Sequence, residues 1–188
     1  PSHERPTDTS EKSFRNLQIL NWDKIFSEIG FPAYMKPFEG GGWKNVYRVE
    51  NPDDLWNKLG ETGQLVMMLQ EEIVFEDYYR VYCLGRKYVH IMPYEPRNPH
   101  HLRYVTESKY SGKQLEQILE KIKEYTLKIN ETLGYDFNTV EFAVKDGIPY
   151  AIDFCNPAPD ADINSVGEKN FAWIVEHAAQ FAIEKAKE

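Results

Sequence analysis

The spacing of apolar residues predicts two long helices in the second half of the chain. One begins at Ser111 and carries an apolar stripe that ends before Gly134. Ser111 with Gln114 is typical of a capping box, and Gly134 is typical of a residue that ends a helix. The stripe consists of Leu115, Ile118, Leu119, Ile122, Ile129 and Leu133. A second stripe, which predicts the last helix, consists of Phe171, Ile174, Val175, Ala178, Phe181 and Ala182.

Shorter apolar segments, broken by Gly, Pro and Asn, predict small elements in the first part of the chain. Residues 1–20 are polar and are expected to form an extended arm or linker. The elements predicted after them are a helix from Asn21 or Asp23 to Gly30, strands at 32–38 and 44–50, a helix capped by residues 51–54, and a buried strand at 64–69.

Alternating positions predict two β-hairpins further along the chain, the second of them turning at Asp146-Gly147. Residues 93–110 lie between the hairpins, have no period and are expected to form a long loop, which usually marks a functional or mobile segment. Strands and helices are interspersed without strict alternation, so the predicted class is α+β with largely antiparallel sheets. The hairpin strands are predicted at 78–84 and 88–92, and at 139–144 and 148–154.

The composition of the chain argues against several classes of protein and of binding partner. The 188 residues are 14% aromatic, which argues against disorder, and carry a formal net charge of −8, which argues against binding to nucleic acid or anionic membranes. No apolar run approaches the length of a membrane span, and the chain opens without a signal peptide pattern. The two cysteines have no metal-binding or disulfide spacing. We therefore expect a cytoplasmic protein that acts on small molecules.

A glycine-rich segment is the first candidate for chemistry. Lys36 ends a predicted strand, and Gly40, Gly41 and Gly42 follow it before Lys44. Glycine lets backbone N–H groups approach phosphate oxygens, and lysine supplies a compact positive charge. A strand follows these glycines, whereas Walker A and dinucleotide motifs lead into a helix. The segment is either a phosphate-binding loop or a hairpin turn with an exposed lysine.

An acidic segment directly after the predicted strand at 64–69 is the second candidate. Gln70, Glu71 and Ile73 lie where backbone groups could contact the edge of an adenine, and Glu76 or Asp77 could accept hydrogen bonds from ribose hydroxyls. The alternative is an acidic connection exposed to solvent.

The third candidate is the pair of carboxylates in the second hairpin. Glu141 and Asp153 alternate with large apolar residues, which is costly unless their face is wet or holds a cation, and Asn156 follows. Two carboxylates and an amide oxygen are ligands suited to magnesium. A two-residue Asp146-Gly147 loop would place the carboxylates on opposite faces, so the metal hypothesis requires a loop with an odd number of residues. The alternative is a hairpin with one polar face in water.

The order of these three segments resembles the ATP-grasp fold family. The resemblance extends from about Trp22 to the C-terminus and is most specific in FPAYMKPFEGGGWKNVYRV, LVMMLQEEI and TVEFAVKDGIPYAIDFCNPAPD. It implies two α+β subdomains that clamp ATP between antiparallel sheets, a small lobe at 21–70 and a large lobe at 71–188. The family's N-terminal domain and its first nucleotide-binding lysine would lie before Pro1, so we expect them to be missing from this chain.

The resemblance also implies roles for individual residues. Lys36 would contact the phosphates of the nucleotide, the glycines and Lys44 would cover them, and Arg80 would lie near the triphosphate or acyl phosphate. The implied adenine contacts are Gln70, Glu71 and Ile73; the implied ribose contacts are Glu76 or Asp77; the implied ligands of Mg²⁺ or Mn²⁺ are Glu141, Asp153 and Asn156. The family usually has Glu-x-Asn at the last two ligands, so the extra residue between Asp153 and Asn156 requires a bulge.

The function implied by the resemblance is ATP-dependent joining of a small-molecule carboxylate to an amine or thiol through an acyl phosphate. Basic residues concentrated in the long loop, namely Arg97, His100, His101 and Arg103, would approach the acid substrate, unless the loop is only surface. Two alternatives remain open: a nucleotide-binding regulatory module without turnover, and a kinase that phosphorylates a hydroxyl. The substrates and the oligomeric state do not follow from the sequence.

Overall fold

The computed structural model describes residues 20–104, 106–157, 159 and 161–188, so most of the predicted N-terminal arm lies outside the described residues. The chain divides into two compact units, here called the N-terminal and C-terminal units, with the boundary between Glu72 and Ile73. Within the described residues, each unit contains one antiparallel sheet, with three strands in the N-terminal unit and four in the C-terminal unit. The predicted α+β class with antiparallel sheets is confirmed.

The N-terminal unit packs two helices against one face of its sheet. Both helices begin at asparagines whose side chains accept a backbone N–H: Asn21 from Lys24 at 3.0 Å and Asn51 from Asp54 at 2.9 Å. The strand order is β2-β1-β3. The elements are α1 (Trp22–Ile29), β1 (Ala33–Pro37), β2 (Tyr47–Val49), α2 (Pro52–Glu61) and β3 (Met67–Glu71). The buried core of this unit consists of Ala33, Met35, Val49 and Leu55.

Two predicted strands of this unit have different bounds. The returning strand begins at Tyr47 instead of Lys44, because Trp43 and Asn45 adopt positive φ angles of 65° and 58° that continue the turn. A strand predicted at 64–69 is present, but it begins only at Met67, and the prediction that it is buried is wrong. Residues 62–65 form a turn, Val66 is 71% exposed, and among the described residues β3 pairs only with β1.

The C-terminal unit has a four-stranded sheet in the order β5-β4-β6-β7, and its longest helix covers one face. The elements are β4 (Asp77–Leu84), β5 (Tyr88–Pro93), a short 3-10 helix (His100–Leu102), α3 (Gly112–Leu133), β6 (Phe137–Lys145), β7 (Ile148–Asn156), α4 (Ile163–Val166) and α5 (Glu168–Lys185). Ile118 and Ile122 of α3 pack on Val81, Val140 and Phe142, all fully or almost fully buried. The predicted apolar stripe is confirmed as far as Ile129, whereas its last residue, Leu133, is 44% exposed.

The start of α3 differs from the prediction. Ser111 makes no side-chain capping hydrogen bond, so the predicted capping box is wrong. Gly112, the first helical residue, has a φ of 54°, which turns the chain into the helix in a left-handed conformation that glycine adopts without strain. The predicted C-terminal glycine is confirmed, since Gly134 is left-handed and its N–H donates to the Asn130 carbonyl.

The second face of this sheet is covered by different structures at its two ends. At one end, α4 and α5 pack on Tyr82, Leu84 and Met92. At the other end, Tyr78, Tyr94 and their neighbours form an aromatic cluster. The polar residues of β4, β6 and β7 on this face lie between these two apolar regions.

Helix α5 docks through a stack of three rings. The His90 ring lies parallel to the Trp173 ring with centroids 4.5 Å apart, and Trp173 lies parallel to His177 at 3.9 Å. His90 Nε2 also lies 2.8 Å from the Asn170 side-chain oxygen. Burial lowers the pKa of His90, the charges of His177 and Lys169 add to this effect, and the Asn170 hydrogen bond opposes it.

We therefore expect acid to weaken this unit through His90. Because the folded pKa lies below the unfolded value of about 6.5, the unfolded chain binds the proton more readily, and stability is lost as the pH falls through that value. Urea unfolding between about pH 7 and pH 5 should show a smaller loss of unfolding free energy for His90→Gln than for the wild type. The exposed His101→Gln serves as the control and should keep the wild-type slope. Equal slopes for all three proteins would contradict this account.

Candidate functional site

The β6–β7 hairpin carries the predicted metal ligands and turns through two residues. Lys145 pairs with Ile148, and Asp146 and Gly147 between them have φ angles of 53° and 72°. Two positive φ angles are typical of the type I′ turn that matches the twist of a hairpin. The prediction that the carboxylates could share a face only with an odd-numbered loop is therefore wrong, because the loop has two residues and the carboxylates are still paired.

The first of two β-bulges in β7 brings the carboxylates onto the same face. The register runs regularly as far as Phe142 opposite Ala151, then shifts so that Glu141 lies opposite Asp153, with Ile152 as the extra residue. A bulge sets two successive residues opposite one, which interrupts the alternation of faces. Glu141 and Asp153 thus form a cross-strand pair.

A second shift brings the third predicted ligand alongside them. Thr139 lies opposite Asn156, so one further residue is accommodated between Asp153 and Asn156. The bulge that the Asp153-x-x-Asn156 spacing required is present. Because Thr139 and Glu141 are two residues apart on one strand, Asn156 is set next to the carboxylate pair.

Asn138 closes the second bulge, and sequence reasoning missed it. Its side chain is fully buried, donates to the Phe154 carbonyl at 2.9 Å, and accepts the Asn156 backbone N–H at 2.8 Å. These two bonds satisfy backbone groups that the shifted ladder leaves without strand partners. Two features of the sequence could have indicated this role. Asn138 is the only amide among the apolar residues of β6, and the neighbouring segment of β7 has the unusual Asp153-x-x-Asn156 spacing.

The electrostatic surroundings of Glu141 combine a phenol, two arginines and the second carboxylate. Tyr78 donates its hydroxyl to Glu141 Oε2 at 2.7 Å, and Arg80 Nε lies 3.9 Å from Glu141 Oε1. Burial raises the pKa of the Glu141 carboxyl and Asp153 raises it further, while Tyr78, Arg80 and Arg103 oppose the shift. Glu141 is therefore costly to ionise without a cation.

Arg80 is held by a tyrosine instead of by the carboxylate. It pairs with Glu141 across β4 and β6, and its Nη1 donates to the Tyr104 hydroxyl at 2.7 Å. Its Nε is buried without a hydrogen bond among the described residues. Burial lowers the pKa of Arg80, but Tyr104, Tyr82 and Glu141 outweigh that effect and the net shift is upward. The guanidinium stays charged, with donor capacity left for an anion.

The donor set fits a magnesium-like cation. Within the described ranges, Asp153 makes no hydrogen bond or ion pair through its carboxylate, and the Asn156 amide oxygen accepts no hydrogen bond. No three His, Cys, Asp or Glu side chains cluster around a metal position in that part of the chain. Here two carboxylates and an amide oxygen would leave the other positions to water and phosphate, as Mg²⁺ prefers.

The predicted nucleotide-binding residues of the N-terminal unit lie on its sheet and on the adjacent loop. Lys36 pairs with Met68 and Gln70 pairs with Tyr34, so Lys36 and Gln70 share the face opposite the helices. Glu71 pairs with Ala33 and belongs to the other face.

The glycine loop is a turn with left-handed residues. Gly40 and Gly42 have φ angles of 145° and 65°, and the Lys44 N–H donates to the Gly41 carbonyl at 3.4 Å.

Ile73, the third predicted adenine contact, lies in the C-terminal unit and packs against the cluster around Tyr78.

Solved D-alanine–D-alanine ligases have a similar fold. The ligase from Bacillus anthracis complexed with ATP gives a TM-score of 0.69 at 19% identity over 92% of this chain and 59% of the ligase. A second structure of that ligase gives 0.67 at 20% identity over 89% of this chain and 59% of its own. The Helicobacter pylori ligase gives 0.52 at 22% identity over 81% of this chain and 46% of its own. The chain has the ATP-grasp fold.

These similarities show the fold, and the chain spans less than two thirds of each ligase. No protein-family model and no curated protein sequence matches it. Across the described ranges, no helix of this ATP-grasp fold is both long and apolar enough to cross a membrane.

The residues predicted to bind ribose are engaged elsewhere in this ATP-grasp fold. Glu76 accepts the Tyr110 hydroxyl at 2.6 Å and the Asp146 N–H at 2.9 Å. Asp77 is 6% exposed and accepts the Lys109 N–H at 2.8 Å. Asp77 also precedes by two residues a tyrosine that packs under α3, which puts Asp77 on the face opposite Glu141. A ribose contact by either residue stays a prediction.

The basic residues of the long loop have separate surroundings. Arg97 forms an ion pair with Glu95 at 2.6 Å, His100 lies 3.5 Å from Ser165, and His101 is exposed. Arg103 donates to the Tyr94 hydroxyl at 3.2 Å, and its charge acts on the Glu141 carboxyl. Arg103 thus lies within electrostatic range of Glu141, whereas Arg97 is paired with Glu95.

Removing the Asn138 side chain should destabilise the C-terminal unit. Asn138→Ala removes the side-chain hydrogen bonds with the Phe154 carbonyl and the Asn156 N–H of β7, which together are worth about 1–3 kcal/mol. Urea unfolding of this variant measures the cost, and Gln117→Ala, an exposed amide on α3, is the control and should change stability by less than about 0.5 kcal/mol. Wild-type stability in Asn138→Ala would show that the bulge does not depend on this side chain.

Proposed function

We propose that this chain is the ATP- and magnesium-binding part of a ligase that activates a carboxylate as an acyl phosphate and joins it to an amine or a thiol. The observation that carries the proposal is the pairing of Glu141 with Asp153 beside the Arg80 guanidinium. The similarity in fold to D-alanine–D-alanine ligases, one of them complexed with ATP, supports the same class of reaction.

The carboxylate pair and the Asn156 amide are proposed to hold Mg²⁺ or Mn²⁺. All three ligands offer hard oxygen atoms, and both carboxylates lie where their mutual repulsion favours a cation. When bound, the cation would neutralise charge on the transferring phosphoryl group.

Fixed positive charges are proposed to hold the phosphates. Arg80 is anchored by the Tyr104 hydroxyl and lies beside Glu141, so its guanidinium supplies a fixed positive charge at the carboxylate pair. In the N-terminal unit, the proposed phosphate contacts are Lys36, Gly40, Gly41, Gly42 and Lys44, and the proposed adenine contacts are Gln70 and Glu71. Ile73, the first residue of the C-terminal unit, is the third proposed adenine contact.

The acid substrate is proposed to approach Arg103. This arginine is oriented by Tyr94 and by the Asn98 carbonyl at 3.2 Å, and its charge acts at Glu141. In the proposed reaction an oxygen of the substrate carboxylate attacks the γ-phosphorus, ADP leaves, and an acyl phosphate forms. The amine or thiol then attacks the carbonyl carbon, phosphate leaves, and the nucleophile loses its proton.

Removal of either carboxylate should abolish the magnesium-dependent part of nucleotide affinity. Calorimetric titration of ATP at fixed Mg²⁺ is expected to show binding at least about 10-fold weaker for Glu141→Gln and for Asp153→Asn. Asp146→Asn is the matched control, since it removes one carboxylate from the exposed turn of the same hairpin and should bind like the wild type. Equal affinity in all four proteins would refute the metal site.

An ADP release assay distinguishes a ligase, a kinase and a binding module by the substrates that release requires. Release that needs both a carboxylate and an amine or thiol supports the ligase. Release with a hydroxyl compound alone would identify a kinase, and tight binding of ATP without release would identify a regulatory binding module. Arg103→Ala should raise the concentration of acid needed for release more than Arg97→Ala does, because Arg97 is ion-paired with Glu95.

A further inference from the structure

The phenol of Tyr78 is fixed in position against one oxygen of Glu141. Tyr78 is 8% exposed and its hydroxyl donates to Glu141 Oε2 at 2.7 Å. Two rings hold it there: the Phe75 centroid lies 5.0 Å from that of Tyr78, and the Tyr94 centroid lies 5.8 Å away. A phenol packed in this way cannot follow a carboxylate that rotates, so the hydrogen bond constrains the orientation of Glu141.

The other oxygen of the carboxylate is left without a hydrogen bond from Arg80. Arg80 Nε lies 3.9 Å from Glu141 Oε1, which is too long for a hydrogen bond. The guanidinium is kept at this distance by its bond to the Tyr104 hydroxyl at 2.7 Å. Among the described residues, Glu141 therefore has one oxygen hydrogen-bonded to a phenol and one oxygen that accepts no hydrogen bond.

We propose that Tyr78 is a positioning residue that orients Glu141 so that Oε1 alone is presented to the cation. The inference rests on the proposed function, since it deepens the same site. A hydrogen bond to a metal-ligating carboxylate fixes its orientation, and removal of such a partner typically lowers metal affinity about 10–100-fold. Glu141 thus binds the cation through one oxygen, and Asp153 supplies its own carboxylate from the opposite strand.

The neighbouring tyrosine provides a matched comparison. Tyr79 is 2% exposed and donates its hydroxyl to Asp77 at 3.0 Å, so it too is a buried phenol bound to a carboxylate. It packs with the residues under α3, on the face of the sheet opposite Glu141. Loss of the Tyr79 hydroxyl removes its hydrogen bonds with Asp77 and Ser108, whereas loss of the Tyr78 hydroxyl removes its hydrogen bond to Glu141. Only the loss at Tyr78 frees Glu141.

The test measures Mn²⁺ binding to the full chain at saturating ADP, by the electron paramagnetic resonance signal of the free ion. Tyr78→Phe should bind Mn²⁺ about 10-fold or more weakly than the wild type, and Tyr79→Phe should bind it as the wild type does. Thermal unfolding without metal should show that both variants are folded. Para-aminophenylalanine at position 78, which restores an N–H donor, should recover most of the affinity.

The outcomes separate this inference from the proposed function. Wild-type protein that binds no Mn²⁺ would overturn both. Wild-type binding with unchanged affinity in Tyr78→Phe would overturn the positioning role alone, and so would an equal loss in Tyr79→Phe. If Tyr78→Phe does not fold, the protein with para-aminophenylalanine at position 78 tests the inference instead. A Mn²⁺ affinity below that of Tyr79→Phe would then contradict the role of a hydrogen-bond donor at position 78.

Discussion

The candidate site depends on one irregularity of the backbone, the extra residue at Ile152 in β7. If β7 continued its regular pairing, Asp153 would share the face of Ala151, which packs under α3 with Val140 and Phe142. An unpaired carboxylate in that apolar layer would be strongly unfavourable. The bulge instead sets Asp153 opposite Glu141, on the face that also bears Arg80. Sheet bulges commonly redirect side chains at functional sites, and this one joins the two carboxylates.

The carboxylate pair makes the site unfavourable without a cation. Burial and the neighbouring Asp153 raise the pKa of Glu141, and the nearest guanidinium is held by Tyr104 at a distance that gives attraction without a hydrogen bond. Full pairing of Arg80 with Glu141 would stabilise the fold but would occupy both the metal ligand and the anion donor. Tyr78 holds Glu141 and Tyr104 holds Arg80, so the carboxylate and the guanidinium lie near each other without forming a hydrogen bond. This arrangement is consistent with binding of a charged ligand.

Local patterns in the sequence predict much of the fold and part of the site. The stripe of α3, the caps at Asn21 and Asn51 and both hairpins follow from periodicity and turn residues. The bulge at Ile152 could not be predicted, because a two-residue period describes only regular pairing, and nothing in that segment marks a shift. The spacing from Asp153 to Asn156 did signal the second bulge. The face on which Asp77 lies could not be predicted either, since its network with Tyr79 and the residues around Lys109 is formed by segments distant in sequence.

The most direct test of the central claim is crystallographic. Crystals of the full chain grown with ADP and Mn²⁺, measured at a wavelength where manganese scatters anomalously, locate the ion without reference to activity. The account predicts an anomalous peak within ligand distance of one Glu141 oxygen and of the Asp153 carboxylate, about 2.0–2.2 Å from each as for small divalent ions. A peak bound to other side chains, or nucleotide bound with no peak at this hairpin, would contradict it.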